Sequence, residues 1–421
     1  MGIVEMAEVQ AKVEAEADPA AAGTGGTGAA DELVVEPVDR AGLGSLQLAI
    51  TPEPIREAGI PSFGGAEFDF KTAPCIREAL AGYAEGGYYG FTLSDDEYLG
   101  RIEWWMANAR GWEVDGSWVV PALGTIFSVA TCLRMLVGPD DAMIVQPPVY
   151  YRYEQAATRL GLRCVHNPLI YEDGCYTMDF DGLERLMADP RNTLLVICNP
   201  ANPVGRVWTA DELGRVAELS ARYGTVVVSD EIFAEVALGG RRTTPYASIP
   251  AGRGHAIALT SIGKAFGCTG FNFANAIIPD DDLRERFEAQ RTRDHFGSID
   301  PFGRQALVAA YTPEGLAWQR STLPHFEANR KIVADAVEGA GLGRVAPTEG
   351  TFVAWVEWTG LALEGEELNG FLETKALLEV EPGLEYGGDC GRFSRINLAG
   401  THEATSAAME RLVDACRSIR R

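Results

Sequence analysis

The sequence predicts an α/β fold: a large domain on a mostly parallel sheet, accompanied by a smaller α+β domain. Three observations carry this. First, three pieces each open on a short apolar run, like a buried parallel strand, and then deliver a polar residue. They are CNPANPVGRVWT (Cys198 to Thr209), VVVSDEIF (Val226 to Phe233) and ALTSIGKAFG (Ala258 to Gly267), and the residues delivered are Asn202, Asp230 and Lys264. Second, a complete helix signature separates the first two runs, so the unit is strand–helix–strand, and such units build parallel sheets with right-handed crossovers. Third, from about residue 325 the pattern changes to a glycine-terminated helix, an alternating strand and a final amphipathic helix.

Composition bounds the function. A chain of 421 residues with 46% apolar and 23% charged residues has room for two globular domains. A net charge of −24 opposes binding to nucleic acid or to an anionic membrane surface. No uncharged apolar run approaches the roughly 20 residues needed to span a bilayer. No basic region followed by an apolar core opens the chain, so no secretory signal is expected. The eight cysteines form no CxxC pair and read as reduced core thiols of a cytoplasmic protein. The five histidines show no metal spacing, and no metal site is expected.

Taken in order, residues 1–40 are rich in Ala, Glu, Gly and Asp and read as a disordered acidic tail. The GxGxxG within it (Gly23, Gly25, Gly28) lacks a preceding strand and a following helix, so it reads as linker. Residues 41–90 form an N-terminal arm and part of the smaller domain, with Ile76, Leu80 and Tyr83 at helical spacing. Residues 91–324 make the large domain. In it, Gly124-Thr125-Ile126 opens an apolar helix running to Leu136, a start whose free backbone amides and dipole suit a phosphate. Asp141 to Tyr150 is a strand and a proline turn. Thr209 and Glu212 form a capping box for a helix that Gly224 ends. His255 to Ser261 and Phe273 to Pro279 supply further strands, and residues 325–421 complete the smaller domain.

In open α/β sheets, ligands sit beyond the carboxyl ends of the strands. Lysine, aspartate and asparagine in that place suit pyridoxal 5'-phosphate. That cofactor needs an amine to hold its aldehyde, an acid facing its ring nitrogen and a donor to its phenolic oxygen. Lys264 takes the first role and then serves as base at the substrate Cα, helped by a pKa lowered in a dry pocket. Asp230 takes the second and Asn202, between Pro200 and Pro203, the third. Singly, each has a plain alternative: a solvated strand-end lysine, a helix-capping aspartate, a proline turn. The three together favour the cofactor.

Ordered blocks carry a family resemblance. They are IEWWMANARGW (Ile102 to Trp112), VQPPVYYRY (Val145 to Tyr153), NPLIYEDGCYTMDFDGLE (Asn167 to Glu184), the three pieces above and FSRINLAG (Phe393 to Gly400). Over roughly residues 45 to 418 the chain resembles fold-type I pyridoxal-phosphate enzymes, the aspartate aminotransferase superfamily. Within it, the closer likeness is to the cystathionine (cysteine-S-conjugate) β-lyase branch. The resemblance implies the aspartate aminotransferase-like fold and a homodimer with shared active sites. It places Tyr150 stacked on the cofactor ring, with Tyr151 as a competitor for that role. Thr125, Ile126 and Ser261 fall on the phosphate, and Arg395 on the substrate α-carboxylate, which a guanidinium grips bidentately.

Four positions depart from the branch: Phe91 for a tyrosine that reaches the neighbouring subunit's phosphate, Ala201 and Phe233 for histidines, and Gly263 for a serine. Phe233 thus stands at the cofactor, and Phe91 or Tyr89 would face substrate; the branch's arginine eight residues past the lysine, which it often lacks, is Asn272 here. The implied reaction is cleavage of an S-substituted cysteine, a small amino-acid substrate, to thiol, pyruvate and ammonia. The departures imply a larger or less polar substrate. They keep open a decarboxylating or oxidative deamination, an aminotransferase, or a regulatory protein that only holds the cofactor.

Overall fold

The computed structural model describes residues 35–419. The glycine run and the rest of the tail up to residue 34 lie outside the described residues. The last part assigned to the tail is folded against the chain: Pro37 bridges Phe70, and Val38 N–H donates to Asp69 O at 2.9 Å.

The large sheet has seven strands: β1 (Val119–Ala122), β2 (Ala142–Val145), β3 (Arg163–His166), β6 (Asn192–Cys198), β7 (Val226–Asp230), β8 (Ala256–Thr260) and β9 (Ala274–Ile277), with the short hairpin β4 (Ile170–Glu172) and β5 (Cys175–Thr177) apart from it. Their order is β1-β9-β8-β7-β6-β2-β3. Only β9 runs against the rest. β7 is VVVSD, buried at every position, as a parallel strand covered on both faces must be. The helix Ala210–Tyr223 that links β6 to β7 has both halves of the capping box formed and ends on Gly224 at φ 74°. Its Leu213, Val216 and Leu219 are buried against the sheet, as the spacing required.

The second sheet is antiparallel: β10 (Arg344–Val345), β11 (Val353–Glu357), β12 (Glu381–Pro382) and β13 (Phe393–Asn397), in the order β10-β11-β13-β12. It has its own core, with Phe63, Phe68 and Phe70 of the arm packed among Phe326, Phe352 and Trp358. Ile76, at the start of the helix Pro74–Gly86, joins the core of the large sheet instead, so the arm passes from one core to the other.

The boundary expected at residue 324 falls inside one continuous helix, Pro313–Gly339. The proline at 324 did not end it, because tertiary contacts hold both halves. Gln319 Nε2 donates to Glu235 O at 2.8 Å beside the large sheet, and Asn329 Nδ2 donates to Leu398 O at 2.8 Å just past β13.

Behind β7 lies a buried ion triad. Arg110 pairs with Glu231 at 2.9 Å and Glu235 at 2.8 Å, with all three side chains nearly inaccessible. Glu231 also accepts from Ser229 Oγ and from Tyr246 N–H. Burial still pushes its carboxyl up to about 7, against the pull of Arg110. Arg110→Met should therefore lower stability by about 3–5 kcal/mol by stranding two buried acids. Urea unfolding would measure it, and a loss below about 1 kcal/mol, the range of exposed pairs, would contradict the triad's importance.

Candidate functional site

The register of the parallel strands brings the predicted residues together. Cys198 on β6 pairs with Asp230 on β7, and Asp230 with Leu259 on β8. Each strand then turns out at the same edge: β6 into the Asn199–Arg206 turn carrying Asn202, β8 into the short helix Ile262–Ala265 carrying Lys264.

Asp230 is buried; Tyr153 O–H donates to its Oδ2 at 2.7 Å and Ile232 N–H to its Oδ1 at 3.2 Å. Burial raises its pKa, opposed by the Tyr153 hydrogen bond and by Lys264. A ring nitrogen able to carry a proton would satisfy that carboxylate.

Lys264 donates to Ala66 O at 2.7 Å, and its Nζ lies 5.7 Å from the Phe233 ring centre. Burial lowers its pKa to about 8; Arg395 pushes the same way, while Glu67, Glu381 and Asp230 resist. Arg395 on β13 is buried and donates to Asn202 Oδ1 at 3.2 Å, to Gly64 O at 3.0 Å and to Glu381. Burial disfavours its charge, but Tyr386 and Glu381 more than restore it. Tyr150 faces this group; burial pushes its phenol up to about 12, with Arg395 lowering it.

The arm closes the pocket through backbone carbonyls. Gly64 O and Ala66 O receive the two cations, which requires the chain to run tight against its neighbours. A Cβ on Gly65 would collide with the Gln47 side-chain oxygen.

Thr125 begins its helix behind Gly124, at φ 107° with no side-chain cap, and a Cβ on Gly124 would meet nothing within 4 Å. The open helix start and the free space fit a phosphate better than a capping side chain. Lys264, Asp230, Asn202 and Tyr150, with the helix start at Thr125 beside Asp230, offer groups of the kinds that the cofactor expected from the sequence would use; Ile126 is half-buried just inside that helix start.

Ser261 is placed differently from its expected role. Its hydroxyl donates to Phe273 O at 2.8 Å and accepts from Gly263 N–H at 3.1 Å, so it caps the Lys264 helix and its proton is already used. Phe91 and Tyr89 are not part of this chain's pocket. Phe91 is 94% exposed and Tyr89 56% exposed, the latter stacked on Phe302 and donating to Ala84 O.

Sequence reasoning missed Tyr153, Glu381 and Tyr386. Tyr153 stands three residues past Tyr150, a helical interval that could have flagged it. It also missed that Glu154, Cys164 and His166 bring ligand atoms within 4.8 Å of one another; Cys164 and His166, two apart on β3, share one strand face. Among the described residues, no helix is long and apolar enough to cross a membrane.

Fold and pocket define an α/β protein with a half-buried lysine near a buried acid, an amide and an arginine that already pairs with a carboxylate of the chain. Residues 67–413 match the model of the aminotransferase class I and II family. Cystathionine beta-lyase PatB of Bacillus subtilis (strain 168) is 32% identical over 343 residues, covering 81% of this chain and 88% of PatB. Protein MalY of Escherichia coli (strain K12) is 28% identical, covering 91% and 98%. Among solved structures, cystalysin from Treponema denticola, which contains a pyridoxal 5'-phosphate cofactor, superimposes with a TM-score of 0.85 at 28% identity, covering 91% of this chain and 98% of that one. The chain belongs to the class I and II aminotransferase family.

The lowered pKa of Lys264 is directly testable. Its amine is neutral, and so nucleophilic, above about pH 8. Capture of pyridoxal phosphate by the apoprotein, followed by absorbance, should quicken up to about pH 8 and level off above it. A rate that keeps climbing toward the ordinary lysine value of 10.5 would mean that burial does not depress Lys264.

Proposed function

We propose that the protein is a pyridoxal-phosphate-dependent carbon–sulfur lyase that cleaves an S-substituted cysteine to a thiol, pyruvate and ammonia. The observation that carries this is the convergence of Lys264, Asp230 and Arg395 on one pocket. Relatives named cystathionine beta-lyase support it. Bound there, pyridoxal phosphate would supply an electron sink for the pair left on the substrate Cα.

The chain's own groups do the rest. Lys264 Nζ would hold the cofactor and then take the Cα proton, for which an amine with a pKa near 8 is suited. Asp230, steadied by Tyr153, would hold a proton at the ring nitrogen. Asn202 Nδ2 would be left to donate to the phenolic oxygen, since its Oδ1 is turned to Arg395. Arg395 receives the α-carboxylate and so orients the bonds at Cα. Phe233 and Ala201, where the branch carries histidines, give the pocket apolar walls for the S-substituent.

A second reading has one observation in its favour: a carboxylate of the chain is already on Arg395. With Arg395 so occupied, a substrate α-carboxylate would be held less firmly, and its loss as CO2 would compete with removal of the Cα proton.

We take the active site to be shared in a homodimer. Tyr88, Tyr89, Phe91 and Leu93 are all exposed on one short segment, as an apolar contact surface would be. Phe91→Glu should shift the mass measured by light scattering from dimer to monomer. A wild-type protein that is already monomeric would exclude this arrangement.

The main test is product analysis by mass spectrometry with a panel of S-substituted cysteines, in air and without oxygen. Pyruvate, ammonia and free thiol under both conditions are expected, and Lys264→Ala should lower turnover by about 10²–10⁴-fold as a lost general base, or abolish it. CO2 release with the C–S bond intact would establish the second reading. Binding without any product would leave a regulatory role.

A further inference from the structure

Arg395 carries more partners than a substrate clamp can spare. Nη2 donates to both Gly64 O and Glu381 Oε1, and Nη1 donates to Asn202 Oδ1. Nε is buried with no partner. A guanidinium offers a carboxylate two paired faces, Nε with Nη2 and Nη1 with Nη2. Both faces include Nη2, and both of its protons are taken.

Glu381 holds this place by construction. It stands directly opposite Arg395 in the β12–β13 ladder, so the two side chains project from the same face. Its other oxygen, Oε2, accepts from Tyr386 O–H. Tyr386 in turn lies beneath the guanidinium, 5.5 Å from ring centre to Cζ. Gly64 O belongs to the backbone of the closing arm and cannot swing aside alone. The Glu381 side chain, 21% exposed against 2% for Arg395, has a route to water.

We propose that Glu381 is a specificity-determining residue: its carboxylate competes with the substrate α-carboxylate for Arg395, so the substrate is gripped bidentately only when Glu381 gives way. This rests on the reading of Arg395 as the α-carboxylate site. The pocket then discriminates weakly between an amino acid and the amine that lacks its carboxylate. Removing the Glu381 charge weakens its hold on Nη2 beside the unpartnered Nε–H, so that a substrate carboxylate can displace it, complete a paired face and restore that discrimination.

The test uses holoenzyme and follows ligand binding by the change in cofactor absorbance. The probes are S-benzyl-cysteine and the matching S-benzyl-cysteamine, which has no carboxylate. Glu381→Gln should bind the amino acid about tenfold tighter or more, equivalent to about 1.4 kcal/mol, and leave the amine unchanged. Glu381→Asp keeps the charge and should stay near wild type. Weaker binding of the amino acid by Glu381→Gln would overturn the proposal and make Glu381 a support that positions Arg395; equal change for both ligands, or none, would overturn it too. Glu381→Ala guards against a folding defect particular to glutamine and should shift the same way. The lyase reading fails separately, by absence of thiol and pyruvate, while the binding comparison remains readable.

Discussion

Two cations and an acid drawn into one pocket, Arg395 and Asp230 buried and Lys264 half-buried, constrain everything around them. Taking a charge out of water costs several kcal/mol unless partners replace the solvent. Lys264 obtains the Ala66 carbonyl, Arg395 the Gly64 carbonyl, Asn202 and Glu381, and Asp230 the Tyr153 hydroxyl. These partners come from the arm, the large sheet and the small sheet. The pocket cannot be assembled unless all three are in place, so the fold's two cores meet where the charges are.

The supports behind the pocket follow the same logic at one remove. Asp230 and Glu231 are neighbours in sequence but face opposite ways: one meets the pocket, the other the Arg110 triad. The triad anchors the end of β7, and the parallel register transfers that position to Cys198 and Leu259 on either side. Geometry at the reacting end is thus inherited from packing that no ligand touches.

The strand-borne chemistry was legible because each apolar run ended on one polar residue, and a parallel sheet aligns such ends. Asn202, Asp230 and Lys264 fell together for that reason, and the Thr209 capping box marked its helix to within a residue. The partners of Arg395 were not legible. One is a backbone carbonyl and one a side-chain amide, both far off in sequence, and Glu381 reaches it through a strand of only two residues, too short for any periodicity. Ser261 had the right residue type at the right place, yet its proton serves Phe273, a choice made by tertiary geometry. Phe91 and Tyr89 stand apart for another cause: both are exposed on this chain, where side chains lent to a neighbouring subunit's site would be. The helix across residue 324 shows tertiary contacts overriding a local breaker.

That helix has a mechanical consequence. Its 27 residues make a rod roughly 40 Å long at about 1.5 Å per residue. One half is pinned at Glu235, beside the Asp230 strand; the other is pinned at Leu398 and Gly400, at the end of the Arg395 strand. The rod works as a spacer gauge between the acid that would grip the cofactor and the guanidinium that would grip the substrate. Any opening of the cleft has to tilt or flex this rod as a lever, with the missing amide hydrogen at Pro324 its softest point.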